Sequence, residues 1–338
     1  MTGPVVGVVG GGAWGIALAA ASARTGTPTL LLSRRGRGEA LPAGVTAARD
    51  ETEIGDRARL IILAVPSAVA RDVARKLGAH VDGGHFVVHG VRGLVMRADA
   101  ARADGVAEEG DLETISDIVR DETPVRRVGA LGGPALASDL LAGSPSVMVG
   151  GSHYPEVTRA LRAAFGSASL RLFTTADLRG LEWASALVGC LAIGVGYARG
   201  VGVGPGLLAA LITRGVEEAG RLAAVAGGDE RTLLGLAGYG DLLASISQTE
   251  RPEVRVGEAL ARGESVTQAV ASVGQRVEAI DLIARIAAWG ASKGARFPVF
   301  EALCEAVGGT GAPAVVGSTP ASRVSAALVR ELMSDRAS

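Results

Sequence analysis

Two cysteines and two lysines are all that 338 residues contain of either type, and neither sign of charge predominates. Cys190 and Cys304 each lie in an apolar, helical-looking stretch, where buried free thiols are far commoner than a disulfide. A disulfide-built scaffold is thereby excluded, and a reducing, cytoplasmic setting is the expectation. Thirty-four basic residues against thirty-five acidic ones leave a formal charge of −1. No global field recruits nucleic acid or an anionic membrane, although a local basic pocket is still allowed. Met1 to Val9 lacks a positively charged region ahead of an apolar core, so no secretory signal is expected. The longest charge-free helical run, Trp183 to Ala198, falls short of the ~20 residues that a bilayer requires. It is read as a buried helix at the centre of a domain.

What is present describes a globular chain of two ordinary domains, with 48% hydrophobic and 20% charged residues. In the first half, short apolar runs alternate with helical patterns: Val5 to Val9, Thr29 to Leu32, Leu60 to Val65, Phe86 to His89, Arg127 to Leu131, Ser146 to Val149 and Leu170 to Phe173 read as strands. Trp14 to Arg24, Ala68 to Leu77, Leu112 to Asp121 and Pro155 to Phe165 read as crossover helices. From about Asp177 the strand signals stop, and Leu178 to Ala198, Leu207 to Ala226 and Val277 to Lys293 carry a 3.6-residue period. The expected domains are therefore 1–177, a doubly wound parallel α/β sheet, and 178–338, all helical. Arg97 to Gly110 reads as a polar loop in the first. His80, His85 and His153 sit in turns with no Cys or carboxylate at ligand spacing, so no metal site is expected.

Gly10-Gly11-Gly12-Ala13-Trp14-Gly15 follows a strand and opens a helix, the context that a dinucleotide fingerprint requires. Gly10 permits the tight turn, Gly12 lets the backbone approach a pyrophosphate, and Gly15 lets the helix pack on the strand. Such a fold is of the Rossmann type. The second strand runs into Ser33-Arg34-Arg35 rather than an acidic residue; arginine suits a 2′-phosphate, which favours NADP, while two solvated arginines beside an NAD site are the plainer alternative.

Over nearly the whole chain this order of motifs resembles the bacterial-type NAD(P)-dependent glycerol-3-phosphate dehydrogenases. The resemblance is carried by Gly10 to Leu18, by Ile61 to Ser67 with Pro66, by Leu131-Gly132-Gly133-Pro134 with Ala137, by Ala209 to Gly215, by Gly235 to Leu242, and by Glu278 and Pro298 at their spacing of twenty. It implies a dinucleotide held by Gly10, Gly12, Ala13, Trp14, Gly15, Arg34, Arg35, Pro66, Arg92, Ala137 and Glu278. It also implies a small substrate met by Gly133, Arg251 and Asp241, with Arg92 and Asp241 as catalytic candidates, nicotinamide between the domains, and a homodimer.

The same resemblance marks departures. That family's Glu-Leu-Gly-Gly-Ala-Leu-Lys-Asn is here Glu182-Trp183-Ala184-Ser185-Ala186-Leu187-Val188-Gly189, so valine replaces the lysine that handles the proton. Its Thr-Lys-Gly is Val91-Arg92-Gly93, and its phosphate-gripping Ser-Arg-Asn falls on Arg251-Pro252-Glu253, where a carboxylate repels phosphate. His89, Tyr197 and Cys190 are candidate replacements for the lysine; a bonded strand-end histidine and a core cysteine are the plainer readings. Asp241 is a substrate-site acid or a helix N-cap. The expected function is an NAD(P)-dependent oxidoreductase, exchanging hydride with a small alcohol or ketone and altered in substrate. A dinucleotide-binding homologue without catalysis and a slow glycerol-3-phosphate dehydrogenase are the alternatives.

Overall fold

The computed structural model describes residues 5–34, 41–97, 112–248 and 251–307. Arg35, and all but the first residue of the polar stretch Arg97 to Gly110, lie outside them. The chain forms two compact units, Met1–Val95 with Glu113–Ser185, and Met96–Leu112 with Ala186–Ser338.

Strands and helices alternate as β1 (Val5–Val9), α1 (Ala13–Arg24), β2 (Thr29–Leu32), β3 (Val45–Ala47), α2 (Glu51–Arg57), β4 (Ala58–Leu63), α3 (Ser67–Gly78), β5 (Phe86–His89), β6 (Val95–Met96), β7 (Leu112–Glu113), α4 (Ile115–Glu122), β8 (Arg127–Gly132), α5 (Ala137–Ala142), β9 (Ser146–Gly151), α6 (Pro155–Phe165) and β10 (Leu170–Thr175). Eight strands make one sheet in the order β10-β9-β8-β5-β4-β1-β2-β3. The central strands are apolar on both faces: β4 buries Ala58, Leu60, Ile61, Ile62 and Leu63. Double coverage by helices is what such a pattern demands. Each covering helix turns one stripe inward; α6 buries Val157, Leu161, Ala164 and Phe165, the spacing of a single face. β1 pairs with β2 on one side and β4 on the other, all parallel, so the strand order reverses beside β1, where open α/β sheets bind ligands.

Three details depart from the sequence reading. The sheet is parallel only from β3 to β8; β9 runs antiparallel to β8, and β10 follows β9 in parallel. Only the short helix α5, ended by left-handed Gly143, links β8 to β9, too little chain for the usual crossover. Leu112 and Glu113 belong to a strand rather than a helix, because Thr114 caps α4 in a reciprocal box with Asp117 and starts it at Ile115. α2 escaped notice because seven residues with one buried large side chain, Ile54, carry little periodicity.

The rest of the chain is helical: α7 (Leu178–Gly200), α8 (Pro205–Val225), α9 (Glu230–Leu234), a π-helical turn (Leu236–Gly240), α10 (Asp241–Ile246), α11 (Pro252–Ala261), α12 (Val266–Val273), α13 (Glu278–Ser292) and α14 (Pro298–Ala306). α7 is long and apolar enough to cross a membrane by length and composition, yet its most apolar stretch is wholly buried inside the fold. A helix apolar on all sides fits a core position equally well. α11 crosses it at near backbone contact. A β-carbon at Gly196 would fall 2.1 Å from the Val254 carbonyl oxygen, and one at Gly257 would fall 2.1 Å from that of Ile193. Glycine on both helices is the condition for that approach.

Glu218, buried on α8, accepts the amide hydrogens of Val299 at 2.8 Å and Phe300 at 3.3 Å, and so caps the start of α14. Burial pushes its carboxyl up to about 7, against the pull of those amides. A group whose folded-state value lies above its unfolded one stabilises most below the unfolded value, and that stability is lost as pH rises through the folded value. Between pH ~4.5 and ~7 Glu218 is therefore expected to cost the fold up to about 3 kcal/mol. Glu218→Gln keeps an acceptor and removes the charge, so urea unfolding should show its stability gaining on the parent by roughly 2–3 kcal/mol from pH 5 to pH 8. Parallel pH curves would show that this carboxyl does not titrate there.

Candidate active site

At the carboxyl end of β1 the chain turns under tight constraint. Gly10 holds φ at +127°, and a β-carbon there would fall 2.1 Å from the Ala64 carbonyl oxygen; at Gly15 it would fall 1.9 Å from the Gly10 carbonyl oxygen. Gly11 is closed off in the same way by Ser33 Oγ at 1.9 Å. Gly12 is different: its φ of −79° suits any residue, and among the described residues nothing lies within 4 Å of the place a β-carbon would occupy. Three glycines are thus required by the fold, and the remaining one faces open space. Gly12 is also the N-cap of α1 and carries no side-chain cap, so the first-turn amides of Ala13 and Trp14 point outward at the positive end of the helix. Such an end accepts a pyrophosphate without rearrangement.

The neighbouring loops place other named residues around this turn. The end of β2 packs on Gly11 through Ser33 and carries the exposed Arg34 beside it. Trp14 covers the backbone after β5, its Nε1 being 2.5 Å from where a β-carbon of Gly90 would lie. Pro66 is the N-cap of α3 after β4, and Ala137 opens α5 after β8. Arg92, just beyond β5, donates from Nη2 to the Gly133 carbonyl at 3.2 Å and so ties the loops after β5 and β8 together. Beside them Ser185 is buried; its Oγ has no hydrogen-bond partner among the described residues and faces Gly132. A cavity of about 360 Å³ lined by Val6, Leu60, Phe86 and Ala164 lies instead at the amino ends of β1, β4 and β5, away from the glycine turn.

Sequence reasoning missed an anchor under this site. Glu182, 4% exposed, accepts from His89 Nε2 at 2.8 Å and from the Ser116 amide at 2.8 Å. His89 Nδ1 receives the Val91 amide hydrogen at 3.3 Å. Nε2 thus faces the carboxylate and Nδ1 the backbone amide. Both ring nitrogens are committed to the protein, which makes His89 a clamp on the β5 turn rather than a proton carrier. Ninety-three positions separate the partners, and no local signal joins them.

The helical unit gathers a second group. Glu253 and Arg251, at the start of α11, form an ion pair with Nε to Oε2 at 2.8 Å. A β-carbon at Gly189 would fall 4.0 Å from Glu253 Cγ and Oε1 and 2.9 Å from Ala279 Cβ. The neighbouring Val188 is 1% exposed. Glu278 opens α13 just before Ala279, 3.9 Å from Arg276. Cys190 is fully buried, its thiol 3.7 Å from the carbonyl oxygens of both Ala186 and Ala279 and able to donate to either, and burial followed by the charge of Glu253 drives it far above the usual thiol range. It packs as a core residue, its thiol kept protonated by burial. Tyr197 is 3% exposed and its phenol is likewise raised by burial. Asp241, placed by α10, is 1% exposed and accepts from Ser245 Oγ at 3.4 Å. Its helix continues directly from the π-helical turn with Gly240 as N-cap, so Asp241 is not the cap.

Residues 36–158 match the family model for the NAD-dependent glycerol-3-phosphate dehydrogenase N-terminus, and residues 177–316 match that for the C-terminus. A glycerol-3-phosphate dehydrogenase (NAD(P)+) of Thermus thermophilus is 33% identical over 315 residues, which cover 88% of this chain and 92% of that one. The enzyme of the same name from Fusobacterium nucleatum is 30% identical over 293 residues, covering 81% and 84%. The crystal structure of glycerol-3-phosphate dehydrogenase from Coxiella burnetii shares the fold, with a TM-score of 0.82 at 24% identity over 98% of this chain and 99% of that one. The chain belongs to the NAD-dependent glycerol-3-phosphate dehydrogenase family.

Proposed function

We propose that this family member is an NAD(P)-dependent oxidoreductase acting between a small alcohol and its ketone or aldehyde, with glycerol 3-phosphate and dihydroxyacetone phosphate as poor substrates. The observation that carries the dinucleotide is the open space at Gly12, in a turn whose other glycines are all fixed by packing. Gly10, Gly12, Ala13, Trp14 and Gly15 hold the pyrophosphate on this reading. The family motifs also mark Pro66, Arg92, Gly133 and Ala137 in the first unit and, separately, Asp241, Arg251 and Glu278 in the second. A bound nicotinamide dinucleotide supplies the hydride donor or acceptor; the protein's part is to orient the substrate and steady the charge on its oxygen. Arg92 brings a permanent cation for that purpose.

Val188, apolar and 1% exposed, stands where the family motif places its lysine, and Arg251 is already engaged by Glu253. The first removes the family's proton handler, and the second weakens a phosphate site. Losing one positioned acid–base group costs a factor of about 10² to 10⁴. Steady-state assays with both phosphates and both cofactors should therefore show little or no turnover, and rates of ~1 to 1000 per second would refute the altered substrate. The burial of Val188 equally favours a second reading, a dinucleotide-binding homologue without catalysis, which a null result with a broad panel of hydroxy and keto compounds would support.

Arg34 beside the turn supports NADP as the preferred form. Arg34→Ala should weaken NADPH by about tenfold and leave NADH within about twofold, as loss of one charge-assisted phosphate contact requires. Equal losses for both would assign Arg34 no part in the choice. Homodimerisation and a cytoplasmic location complete the proposal.

A further inference from the structure

The cavity at the amino ends of β1, β4 and β5 lies wholly within the first unit, and the sheet register accounts for its floor. Val6 pairs with Leu60, Leu60 with Phe86 and Phe86 with Arg127, so these four side chains form one row on one face of the sheet. Above the row α6 presents Ala160, Ala163 and Ala164, which share one side of the helix at the i, i+3, i+4 spacing. Elsewhere on α6 the larger Val157, Leu161 and Phe165 fill the space against the sheet. Three methyl groups do not, and a cavity of about 360 Å³ is left. That is within the ~300 to 1,000 Å³ of small-molecule sites, which are likewise apolar with a few polar groups. Val6, Leu60, Phe86 and Ala164 are buried, whereas Arg59 and Ala163 are exposed and form its mouth.

The mouth is cationic. Arg59 and Arg127 both lie over the Phe86 ring, their guanidinium carbons 5.2 and 5.1 Å from its centroid. Arg127 Nη2 also donates to the Gly83 carbonyl at 2.6 Å. Neither arginine forms an ion pair among the described residues. Asp82, the carboxylate whose charge Arg59 feels, is already held by the Gly84 amide at 2.7 Å and by His85 Nδ1 at 2.8 Å. A guanidinium resting on a ring keeps N–H donors for a planar anion. An apolar pocket rimmed by two such cations therefore suits a ligand with a hydrocarbon body and one negative end.

We propose that this cavity binds an aliphatic carboxylate, with its hydrocarbon body between the Val6, Leu60, Phe86 row and the α6 alanines and its carboxylate at Arg59 and Arg127. The site is independent of the oxidoreductase reading, because β1 carries the glycine turn at its opposite, carboxyl end.

Calorimetric titration of the whole protein with octanoate, octanol and octyltrimethylammonium tests both halves of the assignment. Octanoate should bind saturably, at least about tenfold more tightly than octanol, and the cation should bind least. Ala163→Phe places a ring in the mouth from an exposed position and should abolish octanoate binding with the melting temperature unchanged. Arg59→Gln should weaken octanoate by about tenfold and leave octanol within about twofold. Saturating NADPH should change none of these affinities. No octanoate binding, equal binding of the three tails, or full octanoate binding by Ala163→Phe would overturn the proposal. Displacement of octanoate by NADPH would do the same, by placing the carboxylate at the glycine turn.

Discussion

Gly12→Val is expected to leave the melting temperature of the protein unchanged and to weaken NADPH and NADH together by at least about 100-fold, or roughly 2.7 kcal/mol. The two halves of that expectation come from different facts. The backbone at Gly12 lies at φ −79°, and a β-carbon there has none of the described residues within 4 Å. The same space is where a pyrophosphate would approach the first-turn amides of α1, and an isopropyl group occupies it. Gly10→Ala is the contrasting control. Its φ of +127° and the 2.1 Å approach to the Ala64 carbonyl make the fold itself intolerant of a β-carbon. Differential scanning fluorimetry with and without dinucleotide separates the pair. Unimpaired binding by Gly12→Val would mean that the open space is not the cofactor's.

Glu182→Ala is expected to lower stability by about 4 kcal/mol. The carboxylate is 4% exposed and joins three elements, accepting from His89 Nε2 at the end of β5 and from the Ser116 amide at the start of α4 while itself riding on α7. Alanine leaves two buried donors unpaired, at ~1 to 3 kcal/mol each, and adds a cavity. Urea denaturation measures the loss, and His89→Ala/Glu182→Ala should lose less than the sum of the single changes because the partners share one bond. A Glu182→Ala protein as stable as the parent would show that the pair is incidental.

How far these features were legible in advance depends on how local their causes are. The glycine turn was readable because its strand, its spacing and its helix lie within about twenty residues, each with its own pattern. The edge where β9 turns antiparallel was not, since β8, β9 and β10 show the same apolar runs whichever way they point, and α5 has only six residues. In the helical unit the hydrophobic period located α7, α8 and α13, but not the glycine contacts that press α11 onto α7. Glu253 accordingly read as a residue hostile to phosphate, without its place against Gly189. His89 was noticed for its strand-end position; that both its nitrogens are spoken for depends on Glu182, ninety-three residues away.

The function proposed for this protein stands on dinucleotide capture at the Gly10 to Gly15 turn. Calorimetric titration of the intact protein with NADPH and NADH should give saturable binding of one dinucleotide per chain, and the Gly12→Val protein, equally folded, should give none in the same range. Absence of measurable heat and of thermal stabilisation with both dinucleotides would contradict it.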